Sequence, residues 1–245
     1  MFFRIHSSDV SNVSSNLSPI DYFKNDHYQR HNHRRLEHLA TLELNLRNAT
    51  VLEVGAGIGD HTSFFLDRQC LVTSVEARSE NLEILKSRYP NLRANLLDLD
   101  NPQSIFPEPF DIVYCYGLLY HLQHPAEAIE FMADHCRGLL LLETCVSYGS
   151  EEAVNYCDEA IHDPTQSFWG EGCKPTRIWI YTQLSKWFEF VYMPTTQPNH
   201  EEFPIDWTCV PPASDQLTRS IFIASKTELH NPKLVQDIPM KQIRC

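Results

Sequence analysis

The chain has 245 residues, 42% of them hydrophobic, and a formal charge of −12 from 32 acidic and 20 basic side chains. That length suits one α/β domain with a modest insertion and a full core. No apolar run approaches the roughly 20 residues that cross a bilayer, and the acidic balance disfavours a nonspecific hold on phosphate backbones.

The eight cysteines are scattered with no C-x-x-C pair, which argues against a zinc site and a disulfide framework and predicts reduced core thiols in a cytoplasmic protein. Met1-Phe2-Phe3-Arg4 starts apolar but runs into serines and asparagines, so no signal-peptide core is expected. Residues 1 to about 20 lack a helical period and read as an arm. From Pro19 to Leu44 a helix is expected, with Leu36, Leu39 and Leu42 on one face. Arg30, His31, His33, Arg34 and Arg35 make the best basic patch of the chain, although a solvated helix face has the same composition.

Val51 to His61, VLEVGAGIGDH, reads as a buried strand running into a glycine turn and a helix start. Glycines at 55, 57 and 59 let a ligand lie directly on the main chain. A dinucleotide fingerprint is G-x-G-x-x-G, whereas the third glycine here comes one residue early, which disfavours an NAD-dependent oxidoreductase. Glu53, two residues before the first glycine, suits a cationic ligand better than a diphosphate.

The stretch resembles motif I of the class I S-adenosylmethionine-dependent methyltransferases, an acidic residue and then x-G-x-G-x-G after an apolar strand. The resemblance covers Thr50 to Glu143 and returns near Arg219 to Ser225. It implies a Rossmann-like α/β fold: a seven-stranded, mostly parallel sheet with one antiparallel strand, Ser220 to Ala224, flanked by helices. An N-terminal helix and a substrate-facing insertion would be added to it. It implies S-adenosylmethionine as cofactor, its methionine portion over Gly55, Ala56, Gly57 and Gly59, its amino group toward Glu53. The N-terminal helix would lie over the cofactor mouth, with Tyr22, Tyr28, Arg30 and Arg34 lining it and an arginine meeting the cofactor's carboxylate.

Along the rest of the chain, Thr62 to Asp67 is expected to be the first crossover helix and Leu71 to Val75 the second strand, ending at Glu76 and Ala77. An acid at that strand end, roughly 20 residues beyond the glycine turn, can accept hydrogen bonds from both ribose hydroxyls. Ser79 to Tyr89 reads as a helix stopped by Pro90, and Leu92 to Leu96 as the third strand. Asp98 matches the family's adenine-contacting acid, with Leu99 as an apolar wall and Asp100 as the nearest competitor. Phe110 to Tyr116 is the fourth strand. By the resemblance, Tyr116, Gly117, Tyr120 and His121 would surround the transferred methyl group. A histidine titrates near pH 6.5 and is the obvious proton acceptor here; the alternative for His121 is a structural role in the loop. His124, before Pro125, reads as structural. Ala126 to His135 is a helix and Gly138 to Leu142 a very apolar fifth strand ending at Glu143.

Residues 145 to 175 lack a clean period and fall where the family builds substrate-facing loops. A helical pattern resumes over Lys174 to Phe188 and a strand follows at Phe190 to Met193. Pro194 to Trp207, within a second substrate-facing segment that extends to residue 212, carries His200, Glu201, Glu202 and Asp206 and is functional or merely solvated. His200 joins His121 and Tyr120 as a catalytic candidate. His200-Glu201-Glu202 lacks a second cluster, so no metal is expected. No element is expected beyond Thr227, so residues 1–226 would form one domain (1–47 arm and helix) and 227–245 a tail.

The chain thus reads as a methyltransferase acting on oxygen or nitrogen of a small metabolite or of a peptide or sugar intermediate, with nucleic acid and membrane as unlikely partners. The alternatives are RNA modification, since the fourth-strand pattern also occurs there, and a cofactor-binding module that transfers nothing.

Overall fold

The computed structural model describes residues 18–103, 106–209 and 217–245. The expected N-terminal arm lies almost wholly outside the described residues, as does the 210–212 end of the second loop.

The chain enters through α1 (Pro19–Phe23) and α2 (Asp26–Thr41). The expected single helix is broken at Asn25, whose side chain accepts the Tyr28 backbone N–H at 2.8 Å and so starts a new helix. Next come β1 (Thr50–Val54), α3 (Thr62–Leu66), β2 (Leu71–Glu76), α4 (Ser79–Arg88), β3 (Arg93–Leu96) and β4 (Phe110–Tyr116). After a 3₁₀ turn at Leu119–His121 follow α5 (Pro125–Asp134) and β5 (Cys136–Cys145). A hairpin, β6 (Val154–Asp158) and β7 (Glu171–Pro175), precedes α6 (Arg177–Ser185), β8 (Phe190–Pro194), β9 (Thr196–Gln197) and β10 (Arg219–Ser225). Two short strands, β11 (Leu234–Val235) and β12 (Ile243–Arg244), complete the chain.

The main sheet runs β11-β8-β10-β5-β4-β1-β2-β3. β10 is antiparallel to both neighbours, as expected; the sheet has eight strands rather than seven because β11 adds a second reversed strand on β8. Alternation of side chains across the pleat divides the core into two layers. Leu52, Val113, Leu140 and Phe222 pack with Ile129 and Met132 of α5 and Ile180 and Leu184 of α6. Val51, Ile112, Leu141 and Ile223 pack on the other face with Leu39 of α2 and Phe64 and Phe65 of α3. Both faces are covered, which is why the central strands read as continuous apolar runs.

β1 pairs in parallel with β2 on one side and β4 on the other. The chain order therefore reverses at the β1/β4 boundary, and a crevice opens beyond the carboxyl ends of these strands, where ligands bind in open parallel sheets.

Two expectations are corrected. The helix drawn from Lys174 starts at Arg177, because 171–175 is claimed by β7 and Thr176 caps the helix by accepting the Trp179 N–H at 3.2 Å. The segment beyond Thr227 is built into the fold: Leu234–Val235 pairs with β8 and Ile243–Arg244 with β9, while Gln242 donates to the Pro194 carbonyl at 2.7 Å and accepts from the Trp207 indole at 3.0 Å. Strands of two residues carry no period to read.

Candidate active site

At the end of β1 the main chain turns through Gly57, with φ +54°; a Cβ there would lie 3.0 Å from the Phe23 ring. The position therefore disfavours side chains on both torsional and steric grounds. The Gly57 N–H donates to Glu76 Oε2 at 2.8 Å, and Glu76 Oε1 accepts the Arg78 N–H at 3.0 Å. Burial raises the Glu76 carboxyl above its usual range. Glu53 Oε2 accepts the hydroxyls of Ser74 and Thr62, each at 2.7 Å, while burial pushes its pKa up to about 7.

These groups open into a cleft of about 940 Å³, counting space continuous with solvent. Of the residues singled out from sequence, Glu53, Gly55, Ala56, Gly57, Glu76, Ala77, Asp98, Leu99, Tyr116, Gly117 and His121 line it together. Gly59 sits behind the lining, where its N–H closes the turn onto the Ala56 carbonyl at 2.8 Å. Asp98 is engaged on both oxygens, by the Trp169 indole N–H at 2.8 Å and the Asp100 N–H at 2.9 Å. Its competitor Asp100 accepts the Gln123 and His124 N–H groups at 2.7 and 2.8 Å, so that carboxylate holds the entry to α5.

Two catalytic candidates lie outside the lining. Tyr120 accepts a hydrogen bond from Arg219 Nη2 at 3.1 Å, and its ring lies 3.8 Å from that of His121. His200 packs its ring 5.0 Å from that of His31 and 5.5 Å from that of His27, on α2. His121 does face the cleft, and its Nδ1 meets Glu159 Oε2 at 2.5 Å. A carboxylate only accepts, so Nδ1 carries the proton of the neutral ring and Nε2 keeps its lone pair.

The roof is formed from two directions. Tyr28, Asn32 and Arg35 project from α2. This corrects the arginine assignment by one residue: Arg30 pairs outward with Glu201 and Arg34 with Glu37, and Tyr22 does not reach the lining. The spacing of 28, 32 and 35 continues the Leu39–Leu42 stripe at helical period, a signal present in the sequence. The second part of the roof is the loop between β6 and β7. Arg78 Nη2 donates to the Ile161 and Ser167 carbonyls at 3.0 and 2.8 Å, and Asn81 Nδ2 to that of Pro164 at 3.0 Å. Trp169 on Asp98 and Glu159 on His121 add two more latches.

Beneath α2 runs a buried ionic network that sequence reasoning missed. Arg35 Nη1 meets Glu143 Oε2 at 2.7 Å, Arg219 meets Glu143 Oε1 at 3.1 Å and Glu202 Oε2 at 2.6 Å. Its ion pairs join residues 17 to 108 positions apart, so no local pattern announces it.

Several buried polar atoms on cleft-lining residues have no hydrogen-bond partner among the described residues: Asn32 Nδ2, Arg35 Nε, Asp60 Oδ2, His61 Nε2, Asn81 Oδ1 and Tyr116 Oη. Such atoms are costly to leave unpaired and mark a polar ligand. Donors gather under α2 and carboxylates at three strand ends, which fits a ligand with a carboxylate at one end, an ammonium nearby and hydroxyls beyond.

A family model described as a methyltransferase domain matches residues 26–189. The chain belongs to the class I S-adenosylmethionine-dependent methyltransferases. The donor set of the cleft fits that family's cofactor, a zwitterionic amino acid joined to a nucleoside. Among curated relatives, the tRNA U34 carboxymethyltransferase of Vibrio campbellii is 29% identical over 55% of this chain and 44% of its own length. The chain thus spans less than half the length of that relative. Among solved structures, the N-terminal domain of EvdMO1 with SAH and D-fucose aligns with a TM-score of 0.61 at 18% identity, over 82% of this chain and 84% of that one. The 1,6-didemethyltoxoflavin-N1-methyltransferase of Burkholderia thailandensis aligns at 0.55 and 19% identity, over 83% and 82%. Likenesses at this identity establish the shared methyltransferase fold. Among the described residues no helix is long and apolar enough to cross a membrane.

Proposed function

We propose that this chain binds S-adenosylmethionine in the cleft and methylates an oxygen or nitrogen of a small metabolite, or of a peptide or sugar intermediate. The observation that carries the reading is the double roof: α2 and the 159–170 loop cover the strand ends, and their residues line one cleft together with Glu53, Glu76 and Asp98. When bound, the cofactor supplies a methyl group activated on a sulfonium.

In this reading Arg35 and Asn32 hold the carboxylate end, Glu53 the ammonium, Glu76 the ribose hydroxyls, and Asp98 with Leu99 the adenine. Gly55, Ala56, Gly57 and Ala77 let the ligand approach the backbone, with Gly59 closing the turn. Tyr116 and Gly117 border the transfer point, and His121 Nε2 takes the acceptor's proton while Glu159 orients the ring. Tyr120 is assigned to positioning His121 by ring packing, and His200 is given no part in the transfer. Alignment is worth roughly 7–11 kcal/mol in the best intramolecular reactions, whereas a general base contributes roughly 10²–10⁴-fold, so most of the rate belongs to the roof and floor rather than to His121. Residues 18–245 would act as one catalytic domain, since β11 and β12 belong to it, and of the two expected substrate-facing segments 145–175 reaches the cleft through its 164–168 loop whereas 194–209 does not. The eight free cysteines suit a reducing compartment such as the cytoplasm.

A second reading, tRNA as the acceptor, is favoured by the curated relatives, which are named for tRNA U34. The charge of −12 weighs against it. Calorimetry should record one molecule of S-adenosylmethionine bound per chain, with Gly57→Arg abolishing the signal; a silent titration of folded protein would refute the proposal. A deuterated methyl donor offered with total tRNA and, separately, with a small-molecule extract then separates the acceptors by where the label appears.

A further inference from the structure

Outside the cleft, the densest unassigned chemistry lies where α2 meets the loop after β9. His27 and His31, one helical turn apart on α2, face His200, Glu201 and Glu202 of that loop. We propose that His27, His200 and Glu201, with Glu202 beside them, form a binding site for a divalent transition-metal ion of the zinc class. The proposal goes beyond the methyl-transfer reading and does not depend on it.

One donor atom from each of His27, His200 and Glu201 lies within 4.8 Å of the other two. Tetrahedral zinc with ligands at roughly 2.0–2.1 Å sets its donors about 3.3 Å apart. One pair is already near that spacing, His27 Nε2 to Glu202 Oε1 at 3.3 Å, while His200 Nδ1, 3.8 Å from Glu201 Oε2, accepts the Glu202 backbone N–H at 3.3 Å. The remaining closure falls on His27 and Glu201, whose side chains are 59% and 49% exposed. His200 is the fixed member, only 2% exposed.

A second observation points to a ligand. The Nε2 atoms of His200 and His31, both buried, have no hydrogen-bond partner among the described residues. With Nδ1 of His200 engaged by the Glu202 N–H, its Nε2 is the nitrogen left for a ligand, and a buried ring nitrogen without a partner is costly. Imidazole and carboxylate together suit zinc-class ions rather than calcium or magnesium, which take oxygen donors alone. Arg30 now pairs with Glu201 through both terminal guanidinium nitrogens, and the ion's bonds must outweigh that bidentate pair to release it.

The ion would tie the roof helix to the loop, and through it to the buried network. Glu202 reaches from the His27 ring to Arg219, which meets Glu143, which meets Arg35 in the cleft. An ion on this side would therefore clamp the helix that carries Tyr28, Asn32 and Arg35.

The test uses the full chain freed of any affinity tag and titrated with cobalt(II), whose visible absorption strengthens on tetrahedral nitrogen and oxygen coordination, with zinc as competitor. One equivalent should bind and be displaced by zinc. His27→Ala, at an exposed position that does not endanger folding, should weaken binding by roughly tenfold or more, since even outer partners of metal ligands are worth 10–100-fold. His200→Ala should do the same with an unchanged far-ultraviolet spectrum, while His33→Ala, exposed on another face of α2, should leave binding intact. Absence of the cobalt band, or a band that persists unchanged in both His27→Ala and His200→Ala, overturns the site.

Discussion

Glu53 ends β1 with the Ser74 and Thr62 hydroxyls as hydrogen-bond partners, and burial raises its pKa from 4.5 to about 7. An acid whose folded pKa lies above its unfolded value contributes stability that is complete below the unfolded pKa and disappears as pH rises through the folded one. The window here is pH 4.5 to about 7, and a shift of that size corresponds to about 3 kcal/mol. Glu53→Gln holds the site neutral at every pH. The variant should match the native protein in chemical denaturation at pH 4.5 and exceed it by up to about 3 kcal/mol at pH 8. The same carboxylate must be charged to meet an ammonium, so S-adenosylmethionine should bind the native protein more tightly as pH rises through about 7, a rise that Glu53→Gln removes. Stability curves that run parallel from pH 4.5 to 8 would show that Glu53 carries no such burden.

Elements with strong periods were legible: β1, β2, β4 and β5 stand within a few residues of where apolar runs placed them, because a strand covered on both faces is written as such, and β10 stands where the family resemblance placed it. The roof was not. In the β6–β7 hairpin, β6 stands largely exposed and only β7 is buried, and the loop is held by side chains reaching backbone carbonyls more than 80 residues away. Such bonds favour no composition. α2 was legible as a helix but its inward face was misassigned, since Arg30 and Arg34 looked as suitable as Arg35 until the stripe of 28, 32 and 35 is followed into Leu39. The hairpin loop overlies the cleft, and Trp169 ties it down, its indole on Asp98 at 2.8 Å and its ring half exposed. Trp169→Phe removes that hydrogen bond and keeps the aromatic surface. Stopped-flow measurement should find cofactor dissociation accelerated several-fold with little change in association, since altered contacts act chiefly on the off-rate. An unchanged off-rate would mean that the loop does not gate the cleft.

Across the whole molecule, one acid joins parts that sequence separates widely. Glu143, wholly buried at the end of β5, receives Arg35 from the roof helix and Arg219 from the reversed strand β10, and Arg219 in turn holds Glu202 of the loop after β9. Apolar packing of α2 through Leu39 fixes its position on the sheet, but the network determines which face of the helix looks into the cleft, because only one rotation brings Arg35 over Glu143. Removing one member leaves charges buried without compensation, a defect worth about 3–5 kcal/mol, whereas an exposed pair such as Arg34–Glu37 is worth about 1 kcal/mol or less. Glu143→Gln keeps the shape and can accept one of the two guanidinium bonds, yet it leaves the buried Arg35 with no anion and Arg219 with Glu202 alone. The variant should lose about 3 kcal/mol or more in urea denaturation, while Glu37→Gln on the outer face of α2 should change stability by less than about 1 kcal/mol. The loss should extend to the cofactor: with Arg35 released from Glu143, its guanidinium is no longer held toward the carboxylate end of the ligand, so affinity should fall in the fraction that remains folded. A Glu143→Gln protein as stable as the native one would mean that the apolar contacts of α2 suffice, and that the arginines at positions 35 and 219 are satisfied without their common partner.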